Sequence, residues 1–253
     1  MRIMNLFTQI FIELFILFRI QIAIVRHQLW WIIAMSAIFP MVTLIFLNFL
    51  LGDSSQDQLA RLIIGNMVFS ILLMGMNILG QDISYQKFGG YFTYYSSLPI
   101  RKVNFILSLL FYGILTSLPS FIIVFILGQR LYGVSLHFEW LLLPVALLAI
   151  FSVVGIGVLM GFLSPNPQFT NIVAQFLLMF VTFLTPVMIK ITYLPIILQW
   201  VSYVLPTTYV ANILHEMLTV GWTASLLKEV FILIIFSCIS YLLISKKIHW
   251  RLQ

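Results

Sequence analysis

The sequence predicts an all-α polytopic membrane protein, and two observations carry that expectation. Of 253 residues, 62% are hydrophobic and only 8% are charged, against roughly 25% charged in a soluble domain. Six apolar runs, punctuated by turns or charges, also reach about the 20-residue length that a spanning helix needs. So few polar side chains cannot cover a water-facing surface, and the whole chain reads as a single transmembrane domain over 1–253.

The first apolar stretch is the least regular. Residues 5–27 carry Gln9, Glu13, Arg19 and Gln21 inside an apolar background. At 100° per residue, Asn5, Thr8, Gln9, Glu13, Arg19, Arg26 and His27 share one arc of about 140°. This pattern fits a helix lying in the membrane interface, although Ile12, Ile16 and Ala23 fall on the same arc and a tilted insertion is the alternative. A cleaved signal peptide does not fit, because charges lie inside the run and no small-residue cleavage site follows it.

The spans are expected near 29–51, 62–80, 103–127, 140–163, 172–189 and 225–245. Their separators are Gly52-Asp53-Ser54-Ser55, the stretch from Gln81 to Lys102, Gly128-Gln129-Arg130, Ser164-Pro165-Asn166-Pro167, and the segment from Lys190 to Lys228. Basic residues concentrate on cytoplasmic loops. Arg2, Arg19, Arg26, Lys87, Arg101, Lys102, Lys246, Lys247 and Arg251 fall on one side, with Arg61, Arg130, Lys190 and Lys228 on the other. Nine against four places both termini in the cytoplasm of a cell-membrane protein. The net charge of +6 is thereby used for orientation, and no nucleic-acid partner is expected.

Residues 192–218 are largely apolar but interrupted by Pro195 and Pro206. Each piece is too short to cross and proline resists a continuous helix, so a re-entrant helical hairpin before the last span is expected. Its backbone groups must then be covered by protein or line a cavity.

Several chemistries are excluded. No stretch reads G-x-x-x-x-G-K-[ST], and Gly89-Gly90 is followed by Tyr91 with no lysine to hold a phosphate, so nucleotide hydrolysis does not reside in this chain. His27, His137, His215 and His249 are far apart, and Cys238 is the single cysteine, so no metal site, catalytic cluster or intrachain disulfide is expected. Apart from Lys228 and Glu229 at the entry to the last run, the predicted spans contain no Asp, Glu, Lys, Arg or His, only milder groups such as Asn48, Asn66, Asn77, Gln175, Thr182 and Thr185. Ion-coupled carriers depend on intramembrane charges, so a transporter of this composition takes its energy from a partner.

The segment from Asp82 to Lys102 is unusually aromatic for a loop. A helix through Tyr85 to Tyr95 would present Tyr91, Phe92, Tyr94 and Tyr95 to a groove on a soluble partner; an aromatic belt at the headgroups is the rival reading. Gly155, Gly157 and Gly161 have the spacing of a close helix contact, either within one subunit or between two.

Two motifs resemble those of the permease subunits of ABC-2 type exporters. GGYFTYYSSLPIRK is similar to the family's cytoplasmic coupling segment, with Gly90, Pro99 and Arg101 at the family spacing. FLTPVMIKITYLPIILQWVSYVLPTTYVANILHEML is similar to the region between the family's fifth and sixth spans, with Pro186, Pro195, Trp200, Pro206 and Tyr209 in matching places. Asp82 only loosely represents an acidic residue often found before the glycine, and His215 stands where the family commonly has arginine.

The resemblance implies an ATP-driven exporter of an amphipathic, drug-like, antimicrobial or lipid-linked cargo. It implies a separate ATPase that carries ATP and Mg, a second permease subunit forming a homo- or heterodimer, and surrounding membrane lipids. Asp82, Tyr85, Lys87, Gly90, Tyr91, Phe92, Tyr95, Pro99 and Arg101 would couple to the ATPase. Pro186, Pro195, Trp200, Pro206, Tyr209 and His215 would form the outer gate. The rival classes are a membrane-embedded enzyme using His215 and Glu216, and a passive channel.

Overall fold

A computed structural model describes residues 6–51, 55–98, 100–184 and 195–247. Among these residues there are helices and no strands. The helices are α1 (Leu6–Leu51), α2 (Gln56–Ile71), a π-helical stretch (Leu72–Ile78) leading directly into α3 (Leu79–Phe88), α4 (Tyr91–Ser97), α5 (Lys102–Tyr132), α6 (Leu142–Leu163), α7 (Pro167–Leu184), α8 (Ile196–Tyr203), α9 (Pro206–Thr219) and α10 (Leu226–Lys247). Five segments among the described residues are long and apolar enough to cross a membrane: Thr8–His27, Gln56–Phe88, Lys102–Tyr132, Leu142–Leu163 and Leu226–Lys246. Four of the predicted spans are recovered in α2–α3, α5, α6 and α10. The expected span at 172–189 begins within α7 and runs past the described residues.

Two expectations are corrected. The expected break between an interfacial helix at 5–27 and a span at 29–51 is absent, because α1 is one helix of 46 residues. Nothing from Arg26 to Trp31 breaks a helix; the only internal proline is Pro40, and charges alone leave the backbone hydrogen bonds intact. At 1.5 Å per residue α1 is about 69 Å long, more than twice the roughly 30 Å hydrocarbon thickness, so a single crossing cannot submerge all of it. The second correction concerns span two, expected to stop at Gly80. The helix continues to Phe88 and carries Asp82 and Lys87 with it.

The core forms where α2, the π stretch and α3 run between α5 and α6, with Ile63, Met67, Ile71, Leu72, Leu79 and Ile83 fully buried. Close approach of α6 depends on glycine. A Cβ on Gly157 would lie 2.5 Å from the Gly75 carbonyl oxygen and 2.8 Å from Met76 Cα, and one on Gly161 would lie 2.7 Å from the Gly80 oxygen. Gly155 faces Ser240 of α10 instead. The glycine stripe is thus used for packing within the chain.

Helix α1 packs along two partners. Phe18 stacks on Phe111 of α5 with ring centroids 4.0 Å apart, and Phe39 stacks on Phe69 of α2 at 5.7 Å. Thr43 donates to the side-chain oxygen of buried Asn66 at 2.8 Å, while the Asn66 amide donates to the Leu62 carbonyl at 3.0 Å. The expected interhelical role of Asn66 is therefore present. Thr43→Val removes this donor and is expected to lower stability by about 1 kcal/mol, read as a lower unfolding temperature in detergent; an unchanged temperature would show that the bond contributes nothing.

Candidate functional site

The candidate site is the end of the bundle built by α3, α4 and the first turns of α5. Helix α3 stops at Gly89, and Gly90 adopts φ +79°, a left-handed conformation that glycine enters without steric cost. The turn redirects the chain into α4. The single helix expected through Tyr85–Tyr95 is therefore two helices with a corner, and this re-sorts the aromatic residues.

Phe92 points inward, edge-on to Phe105 of α5 at 5.5 Å and stacked on Phe162 of α6 at 5.2 Å. Tyr95, one turn later, packs on Phe105 at 5.2 Å. Burial holds the Tyr95 phenol above its ordinary range, with Tyr94 beside it adding to the shift. Tyr91 and Tyr94 face outward, 62% and 65% exposed, and Tyr85 and Phe88 on α3 are also exposed. The expectation that Tyr91, Phe92, Tyr94 and Tyr95 all face a partner is corrected: Phe92 and Tyr95 anchor α4, and Tyr91 and Tyr94 form its free face. The i, i+3 spacing of each pair explains the division.

Lys87 does not reach outward. Its ammonium donates to the carbonyls of Phe162 and Ser164 at 2.8 and 3.0 Å, where a cation meets the negative end of the α6 dipole and satisfies terminal carbonyls. Asp82 also faces inward, accepting a hydrogen bond from the Tyr112 hydroxyl at 3.0 Å. Ser84 is bonded to Thr170 of α7 at 2.7 Å. Pro99 lies outside the described residues.

Arg101 serves through its backbone, as the residue preceding α5. Its amide donates to a Glu13 carboxylate oxygen at 3.3 Å, and the Asn104 side chain donates to the same oxygen at 2.8 Å and to the Ile10 carbonyl at 3.3 Å. A carboxylate from α1 thus caps the positive end of α5 and ties the N-terminal half of α1 to the segment that follows α4. Sequence reading saw Glu13 only as one polar residue on an arc and gave Asn104 no role. The available signal was a lone acid in a run otherwise free of acidic residues, which requires a donor once buried. Glu13→Ala is expected to cost about 1–2 kcal/mol, read as a lower unfolding temperature of the full chain; Glu13→Gln, which keeps an acceptor, is expected to lose less. Equal stability of both variants and wild type would refute the cap.

At the opposite end, Pro195 precedes α8 and Pro206 opens α9 at its first turn, where a missing N–H costs nothing. Thr208 donates to the Ser202 carbonyl at 2.6 Å and Tyr209 to the Tyr203 carbonyl at 2.9 Å, locking the corner between the two helices. Trp200 is exposed. His215 Nε2 lies 3.7 Å from an Asp57 oxygen at the start of α2, whereas Glu216 accepts from Thr223 and from Ser225, the latter at 2.8 Å. His215 and Glu216 therefore turn to different partners. Pro186 and the first part of the expected hairpin lie outside the described residues. No group of three or more metal-ligating side chains occurs among the described residues.

A helical bundle with several membrane-length apolar segments, closed at one end by a cornered aromatic helix, defines an all-α multi-pass membrane protein. Residues 12–219 match the ABC-2 type transporter family, and the chain belongs to that family as an ABC transporter permease. No curated protein matches the chain.

Proposed function

We propose that this permease is the membrane subunit of an ATP-driven exporter, moving an amphipathic, drug-like, antimicrobial or lipid-linked cargo out of the cytoplasm or inner leaflet. A separately encoded ATPase binds ATP and Mg, and two permease subunits, identical or closely related, enclose the path. Helix α4 and both termini face the cytoplasm, the N-terminal half of α1 lies at that interface, and α8 with α9 forms the re-entrant outer gate.

The observation that carries this reading is the two-sided build of α4. Phe92 and Tyr95 fix it to α5 and α6, while Tyr91 and Tyr94 stand free. A force applied to the free face is passed to two membrane helices through packed rings. Lys87 of α3, bonded to the end of α6, and Glu13 of α1, bonded at the start of α5, extend the same connection to four helices. The divergent partners of His215 and Glu216 give an acid–base enzyme no assembled pair.

The test uses inside-out vesicles containing the chain and an ATPase encoded beside it. ATP-dependent accumulation of a fluorescent amphiphile is expected, with none when the ATPase is replaced by a hydrolysis-deficient form. Nucleotide-independent flux would favour a channel and reject the exporter.

A further inference from the structure

A cavity of about 140 Å³ opens between α1, the π stretch and α5, lined by Trp31, Met35, Met74, Ile78, Asp82 and Tyr112 among others. Tyr112 lies ten residues beyond Lys102, so the cavity sits about 15 Å along α5 from its start. Apart from Asp82 its walls are apolar or aromatic, with Thr116 as the other polar side chain, and the Thr116 hydroxyl is spent on the Tyr112 and Gly113 carbonyls of its own helix at 3.1 and 3.0 Å. Asp82 receives the Tyr112 hydroxyl at Oδ2, and among the described residues no lysine, arginine or histidine pairs with it. A carboxylate partly withdrawn from water among apolar walls is costly without a cation.

We propose that this cavity binds a hydrophobic monocation of the quaternary-ammonium type, with Asp82 as counter-ion and Trp31 and Tyr112 as aromatic walls. The walls decide the chemistry. A primary ammonium brings three donors that all need acceptors, and the cavity offers acceptors at one corner only. A quaternary ammonium brings none and is recognised by carboxylates and aromatic faces. The volume also suits it, since a cavity of about 150 Å³ accommodates benzene, and a trimethylammonium head is of comparable size. Trp31 is 71% exposed, so the cavity is open beside α1, where an alkyl tail can extend into lipid. The head can be that of a free cationic amphiphile or of a phosphocholine lipid.

This inference refines the cargo of the proposed exporter but is tested without any ATPase, so its failure leaves the exporter reading standing and the converse holds as well. The full chain is placed in phosphatidylethanolamine nanodiscs and binding of radiolabelled phenyltrimethylammonium is measured against empty discs. Saturable binding is expected, displaced by dodecyltrimethylammonium and not by its uncharged tert-butyl isostere. Asp82→Asn, which retains a partner for Tyr112, is expected to weaken the probe by about thirtyfold, and Trp31→Leu by severalfold. Trp31 is exposed, so that arm stands even if the Asp82 variant does not fold. Suppression by added phosphatidylcholine identifies a lipid headgroup as occupant; binding insensitive to it identifies a free amphiphile. Absence of saturable binding, equal displacement by the isostere, or unchanged binding in both variants overturns the proposal.

Discussion

Changing Tyr91 and Tyr94 together to alanine is expected to abolish retention of the ATPase on the permease during purification while leaving the permease folded. Both rings are more than half exposed on α4, so their loss removes little internal packing beyond the edge contact of Tyr94 with Tyr95 at 6.0 Å, and exposed substitutions of this kind change stability by about 0.5 kcal/mol or less. Aromatic anchors at the centre of a protein interface commonly contribute about 2 kcal/mol or more each. Two such losses weaken a complex by roughly a thousandfold, since each 1.4 kcal/mol is tenfold. The contrasting variant is Phe92→Ala, which removes a ring packed against Phe105 and Phe162. It is expected to lower the unfolding temperature, and so to weaken docking through disorder of α4 rather than through lost contact. A Tyr91/Tyr94 double variant that retains ATPase as well as wild type does would place the docking surface elsewhere and assign these tyrosines to the headgroup region.

Gly157→Ala is expected to be the most damaging small substitution in the bundle. Its Cβ would enter the space of the Gly75 carbonyl oxygen at 2.5 Å, and of Met76 Cα at 2.8 Å. Both obstructing atoms are backbone, so no side chain can rotate aside; α6 or the π stretch must shift as a body. Overpacking of this kind costs about 3 kcal/mol, to be read as a large fall in unfolding temperature and a loss of monodisperse extraction. At Gly155 the added methyl meets the Ser240 side chain at 2.7 Å, a contact that α10 can relieve more readily, so Gly155→Ala should be the milder change. If the two variants unfold alike, the backbone contact at Gly157 is not what limits the approach of α6.

Much of the bundle was legible in the sequence because the membrane imposes simple requirements on length and polarity. The limits of α5, α6 and α10 fall within a few residues of the apolar runs at 103–127, 140–163 and 225–245. The failures share a cause: composition reports where a helix meets lipid but not where it ends. Residues 26–28 and 81–88 are polar enough to look like boundaries, yet neither contains a residue that stops helical hydrogen bonding, and α1 and α3 run through them.

The segment from Asp82 to Lys102 was expected to face a partner because of its aromatic content, but the face of each ring depends on Gly90. One left-handed residue converts an expected continuous helix into a corner, turning Phe92 and Tyr95 inward. Tertiary capping was beyond sequence reading altogether. Glu13 and Arg101 are 88 residues apart and Lys87 and Phe162 are 75 apart, and no local pattern pairs them. Likewise Asp82 was grouped with the docking residues by its position, whereas its side chain turns to Tyr112.

The π stretch from Leu72 to Ile78 acts on α2 and α3 as an angular offset in a shaft. The wider turn takes up one additional residue, so everything beyond it is held back by about 100° relative to an uninterrupted α-helix of the same sequence. The half before the offset is phased to place Ile63 against Gly128 of α5, and the half after it to seat Gly80 and Ile83 against Gly161 and to aim Asp82 at Tyr112. Deleting a single residue within 72–78 would restore uniform pitch and leave both halves in phase, whereas winding the full-length stretch as regular α-helix would swing Asp82 away from Tyr112 and Lys87 away from the end of α6. The stretch therefore lets one residue more than regular pitch admits sit between two halves that each keep their partners.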